Sequence, residues 1–160
     1  MMKTNAGFTL IELLMTVMIA GIVLTLGVPS FQESIRNNRL TAQSNELVVA
    51  FNLARSEAIK RRANVVVCTS TDQSSCTGSS WADGWIVRDQ DGDLIRAFRP
   101  MKGSITVTDG GVTTLSYNQN GFLTAGGATL RLCAGAGKTG REVDVSATGR
   151  PSNVNPHPSC

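Results

Sequence analysis

GFTLIELLMTVMIAGIVLTLGVP, residues 7 to 29, decides the fold. From Phe8 to Val28 it runs 21 residues with a single charge, Glu12. That is long enough to cross about 30 Å of hydrocarbon as a helix rising 1.5 Å per residue. A short polar segment with one positive charge, Lys3, precedes it, and Pro29 closes it. A secretory signal has a shorter apolar core followed by a small-residue cleavage site. Here Ala20-Gly21 lies in mid-run and no A-x-A follows. Lys3 on one side and Arg36 and Arg39 on the other leave the orientation open on charge alone. A carboxylate inside a span costs about 2.5 to 3.5 kcal/mol on insertion scales, so Glu12 calls for a cation. The nearest is the free amine that a cut between Gly7 and Phe8 would create, one helical turn away or on a neighbouring copy.

Beyond Pro29 the chain reads as the same helix continued. Residues 30–62 contain no glycine or proline, and the second half is rich in helix formers. Leu40, Ser44, Leu47, Phe51, Ala54 and Ala58 recur at steps of three and four, one stripe of an amphipathic helix broadened by Val48 and Leu53. Lys60, Arg61 and Arg62 suit its C-terminus, where the dipole favours cations. A helix from Phe8 to about Arg62 would be about 80 Å long, and Pro29 predicts a kink or a local loosening in it.

From Ala63 the period switches to two. Short strands are predicted over 65–68, 85–87, 94–98, 105–108, 113–116, 129–133 and 142–145. Asp91-Gly92, Asp109-Gly110-Gly111, Asn120-Gly121, Gly126-Gly127 and the glycines from Gly135 to Gly140 punctuate them as turns. The expected architecture is α+β, a long N-terminal helix packed on a small antiparallel meander, with the strands near 63–70 and 129–134 central. The segments are a leader over 1–7, a membrane-spanning part over 8–28, an amphipathic helix over 29–62, and a β-sheet domain with a C-terminal tail over 63–160.

Composition narrows the chemistry. Of 160 residues, 41% are hydrophobic and 17% charged, which excludes a disordered chain, and only one stretch could span a bilayer. A net charge of +3 does not suit a histone-like nucleic-acid binder but allows a local basic patch. One histidine, His157, placed in a tail between Pro156 and Pro158, argues against histidine catalysis. Gly135-Ala136-Gly137-Lys138-Thr139 ends like a phosphate loop, yet Leu132 stands where the first glycine belongs, so it reads as a hairpin. Asp89-Gln90-Asp91-Gly92-Asp93 lacks the glycine position and terminal glutamate of a calcium loop and reads as a tight turn. No nucleophile–base pair stands out, so an enzyme is not expected, nor a cofactor or a metal. Cys68, Cys76, Cys133 and Cys160 lack zinc spacing. In an oxidising compartment they allow three disulfide pairings. Cys68–Cys76, closing a Ser/Thr-rich loop, with Cys133–Cys160, tying the tail to a strand, is the favoured one.

The run Gly7 to Leu14, GFTLIELL, resembles the processing motif of type IV pilins and type II secretion pseudopilins. The resemblance implies that a prepilin peptidase cuts after Gly7 and that the new N-terminal Phe8 is methylated. It also implies that Glu12 directs assembly by pairing with a neighbour's N-terminus. Four later stretches are similar, in order, to the group containing FimT, FimU and GspH. They are A-R-S-E-A-I at Ala54–Ile59, D-G-W at Asp83–Trp85, the D-x-D-G-D turn at 89–93, and T-G-R at Thr148–Arg150. The resemblance implies a minor pilin at or near a filament tip, helping assembly, priming, attachment or motility. Alternatives are a DNA-binding minor pilin for DNA uptake and a GspH-like secretion pseudopilin. The implied partners are major and minor pilins, the prepilin peptidase, the inner-membrane assembly platform and, before assembly, membrane lipid. The implied location is a single inner-membrane pass with a periplasmic domain, later part of an extracellular pilus or periplasmic pseudopilus. For the DNA alternative, Arg131, Lys138, Arg141 and Arg150 are the candidate contacts. The G-R-x-R pattern of FimT tails is incomplete both at Gly149-Arg150-Pro151-Ser152 and at Gly140-Arg141-Glu142-Val143.

Overall fold

The computed structural model describes residues 7–157 and Cys160, so the expected leader lies outside the described residues except for Gly7. Two compact units divide the chain, Met1–Asn37 and Asn38–Cys160, and helix α1, Leu10–Arg61, contributes to both. In the first unit the apolar side chains are exposed: Phe8 by 85%, with Leu10, Ile11, Leu14, Met18 and Ile22 each more than half open. An 18-residue window of this helix is long and apolar enough to cross a membrane and is 0% buried among the described residues. The helix continues through Pro29, whose missing N–H leaves the Thr25 carbonyl without its usual donor.

In the second unit the helical stripe finds its partners. Leu40, Ser44, Leu47, Ala50, Phe51, Ala54 and Ala58 are all 0% exposed, while Asn45, Glu46, Asn52 and Ser56 between them face solvent. Alanines and a serine on a buried face let a second layer approach closely, and Ser44 satisfies its hydroxyl locally by donating to the Thr41 carbonyl at 3.0 Å. That second layer is not one meander but two four-stranded antiparallel sheets. One has the order β3-β2-β1-β5, from Leu94–Phe98, Trp85–Asp89, Val65–Thr69 and Thr114–Tyr117. The other has the order β4-β6-β7-β8, from Thr106–Thr108, Ala128–Cys133, Gly140–Val145 and Pro151–His157. The Asp109-Gly110-Gly111 turn therefore does not close a hairpin. It carries the chain from β4 of the second sheet back to β5, which pairs with β1 of the first (Val67↔Leu115). Splitting the strands lets both sheets contribute to one core. Val65, Val67, Trp85, Val87, Leu115 and Tyr117 come from the first sheet, and Leu130, Leu132, Val143 and Val145 from the second.

β1 and β6 are interior strands, as their apolar runs predict. Two elements are absent from the sequence reading. A short 3-10 helix, Trp81–Asp83, is capped by Ser80, whose hydroxyl accepts from the Ala82 amide at 3.2 Å. It places Trp81 edge-on to Phe51, ring centroids 5.6 Å apart, with the indole N–H donating to the Val112 carbonyl at 2.7 Å. The second is β8. Its prolines mark the tail as irregular, yet it is an edge strand, where a missing N–H is tolerated. His157 accordingly lies in β8 opposite Gly140 rather than in a loose tail.

Candidate functional site

The start of α1 is built by Thr9. Its hydroxyl accepts from the Glu12 amide at 3.3 Å, satisfying one of the donors that a helix N-terminus leaves free. Thr9-Leu10-Ile11-Glu12 has the S/T-x-x-E spacing of a capping box, a signal the sequence reading passed over. Glu12 thus lies in the first turn, where the helix dipole favours a carboxylate. Gly7 lies outside helix and strand and is exposed, with nothing within 4 Å of a Cβ position, and Phe8 stands open beside it. The Gly7–Phe8 bond thus lies just ahead of a capped helix, outside any helix or strand.

The four basic residues considered for DNA do not form one patch. Arg131, on β6, points outward and pairs with Glu142 of β7, Nε to Oε2 at 2.8 Å. Arg141 shares the strand face of the buried Val143 and Val145 and turns to α1, where its Nε donates to Thr41 Oγ1 at 3.3 Å. Lys138 is exposed in the β6–β7 loop, at the same end of the sheet as Arg141. Arg150 lies beyond the opposite end of β7, in the turn in which the Gly149 amide donates to the Ser146 carbonyl at 2.8 Å. That turn sits on Gly121, and Gly121 on Arg55 of α1. Thr41 and Arg55 are fourteen residues apart on α1, about 21 Å.

The short stretches similar to FimT, FimU and GspH do structural work at that far end. Arg55 Nε donates to the Gly121 carbonyl at 3.1 Å. Gly121 (φ +77°) leaves no room for a Cβ, which would come within 2.8 Å of Ile59 Cδ1. Gly149, also at φ +77°, packs against the Gly121 carbonyl and the Tyr117 ring. Glu57 holds Arg61 (2.7 Å) and Lys60 (3.6 Å), and Arg61 reaches Asp89 Oδ2 at 3.2 Å. The hydrogen bond from Arg61 lowers the Glu57 carboxyl below its ordinary range. Asp89 is also the organiser of the Asp-rich turn, accepting from the amides of Asp91 (3.1 Å) and Asp93 (2.9 Å), so its oxygens are committed to the protein. Among the described residues no three His, Cys, Asp or Glu side chains cluster as a metal site.

The cysteines join as Cys68–Cys76 and Cys133–Cys160. Inside the first loop Asp72 accepts from the Ser75 hydroxyl, the Ser74 and Ser75 amides and the Ser70 hydroxyl. These bonds, the Ser75 hydroxyl foremost, hold its carboxyl far below the usual carboxylate range. The second bond ties β8 back to β6, with the Gly137 amide donating to the Cys160 carbonyl at 3.0 Å.

A family model described as type II transport protein GspH matches residues 43–149, and the prokaryotic N-terminal methylation motif matches residues 2–28. Two curated relatives, both fimbrial proteins of Pseudomonas aeruginosa, are 28% and 27% identical over 129 residues, which is 75% of this chain and 84% of each relative. The crystal structure of the P. aeruginosa type IV minor pilin FimU in one crystal form gives a TM-score of 0.64 at 24% identity, covering 78% of this chain and 97% of that one. A second crystal form gives 0.58 at 25% identity, covering 76% and 99%. The long N-terminal helix on antiparallel sheets is the fold these structures share with this chain.

Proposed function

The chain belongs to the GspH family of pilin-like proteins, which are non-enzymatic structural components, and we propose that within it the chain serves as a minor pilin of a type IV pilus, at or near the filament tip. Family membership carries membrane anchoring by the apolar helix, leader processing and assembly with other pilins. The observation that supports the finer reading most is the helix start. An open Gly7–Phe8 bond precedes a capped helix that carries Glu12 in its first turn and an unburied apolar surface behind it. Cleavage after Gly7 creates the amine that a carboxylate in lipid needs, and Glu12 of one copy takes the N-terminus of the next as both leave the bilayer. The pilus rather than a secretion pseudopilus is favoured by likeness to a fimbrial protein and to a type IV minor pilin. Two disulfides suit a periplasmic domain, because the cytosol keeps thiols reduced.

The test is made in the native host. Gly7→Val should leave the leader attached, read by intact mass. Glu12→Ala should be processed normally and lose most of its incorporation into sheared pili. A mature chain that still starts at Met1, or full incorporation of the Glu12→Ala protein, overturns the scheme.

A further inference from the structure

We propose that the end of the globular unit from which α1 departs toward its apolar stretch carries a basic collar, Arg39, Lys102, Lys138 and Arg141, that holds anionic phospholipid headgroups while the subunit is stored in the bilayer. The inference rests on the reading of residues 8–28 as a membrane span.

Three separate segments bring these charges together. On α1, Arg39 lies half a turn before Thr41, and Thr41 accepts the hydrogen bond from Arg141 at the start of β7. A guanidinium nitrogen of Arg39 lies 3.7 Å from the point that a Cβ on Gly103 would occupy, which places Lys102 beside it. Lys138 belongs to the loop that leads into Gly140 and Arg141, and that loop is fixed by the bonds of Gly137 and Lys138 to Cys160. Arg39, Lys102 and Lys138 are exposed and Arg141 half-buried.

Pairing separates these cations from several others in the chain. Lys60 and Arg61 are neutralised by Glu57 and Asp89, and Arg131 by Glu142. No ion pair takes up Arg39, Lys102 or Lys138 among the described residues. The acids flanking Arg39 along α1 do not reach it either. Glu33 is held by Arg36 at 3.1 Å, and Glu46 stands about two turns farther from the apolar stretch.

Position selects the lipid. Only ten residues lie between Val28 and Arg39, so a chain anchored through residues 8–28 keeps the collar tethered near the bilayer's phosphates. A nucleic acid must instead be captured from solution. Each basic group near an anionic surface contributes about fivefold in affinity, the equivalent of about 1 kcal/mol.

The full-length chain in detergent, offered equal amounts of phosphatidylglycerol and phosphatidylcholine, should retain phosphatidylglycerol preferentially by native mass spectrometry. Arg39→Gln, Lys102→Gln and Lys138→Gln together, all at exposed positions, should cut that preference about a hundredfold while circular dichroism stays unchanged. High salt should reduce it as well. Equal retention of both lipids by the wild-type chain, or an unaltered preference in the triple variant, overturns the collar and leaves the membrane span standing. Failure of the wild-type chain to enter vesicles of either composition overturns the span itself. Duplex DNA that displaces phosphatidylglycerol from the wild type, and binds the triple variant weakly, would reassign the surface to nucleic acid.

Discussion

Gly149 shows what a single position carries. Its φ of +77° disfavours any side chain, and a Cβ there would strike the Gly121 carbonyl and lie 2.9 Å from the Tyr117 ring. Gly149→Ala should lower stability by more than about 2 kcal/mol in urea denaturation, since backbone strain adds to a clash that no flexible atom can relieve. Beneath it, the Tyr117 hydroxyl is buried with no hydrogen-bond partner among the described residues. Burial raises its pKa above the ordinary 10.0. The folded state thus keeps a proton that the unfolded chain releases, and stability, full below pH 10, declines as the pH rises beyond it. Tyr117→Phe removes a costly orphan group. It should raise stability by about 1 kcal/mol at pH 7 and abolish the alkaline decline. A melting temperature lower than wild type would contradict this. The T-G-R stretch shows the limit of reading by charge. Its arginine drew notice as a candidate DNA contact, whereas its glycine is the residue with a demonstrable task.

At the scale of elements, the helix was the most legible part. Six residues spaced by threes and fours, Leu40 to Ala58, are all sealed against the sheets, because an amphipathic period leaves only one way to bury that face. Leu47→Ala should cost about 2 to 5 kcal/mol, measured by chemical denaturation of the membrane-reconstituted or detergent-held chain. Strand positions were legible too, but their partners were not. Asp109-Gly110-Gly111 carries a hairpin's signature, and nothing local tells β5 to abandon β4 for β1. That choice is made by tertiary packing around the helix. β8 was missed because proline is disfavoured in strands generally and tolerated at edges specifically, and edge status is a property of the sheet. The bond from Cys133 to Cys160 spans 27 residues of sequence, for which chain-entropy arguments give about 3.5 kcal/mol. Cys160→Ser should lose much of that, and amide exchange should accelerate through β8 more than through β6.

For the whole molecule, the family was readable at the start of the chain through the resemblance of Gly7 to Leu14 to the pilin processing motif, and the cost of a carboxylate in an apolar span is what makes Glu12 stand out there. The arrangement of the basic residues was not readable. Sequence proximity gathers Arg131, Lys138, Arg141 and Arg150 within twenty residues, while the antiparallel run of β7 sends the last of them to the far end of the unit. Acid should loosen the whole. Glu57, lowered by its hydrogen bond from Arg61, contributes stability at and above its ordinary value of 4.5, and this fades as the pH falls beneath it. Glu57→Gln should flatten that acid limb of the melting temperature. The Cys133–Cys160 bond has a further consequence, in the order of biogenesis. On the proposed periplasmic location, one of its sulfurs crosses the membrane 27 residues after the other, so the second sheet stays covalently open until Cys160 has followed Cys133. A strain without its thiol oxidase should therefore accumulate subunits that are anchored and leader-free, yet cut by added protease just ahead of Pro151.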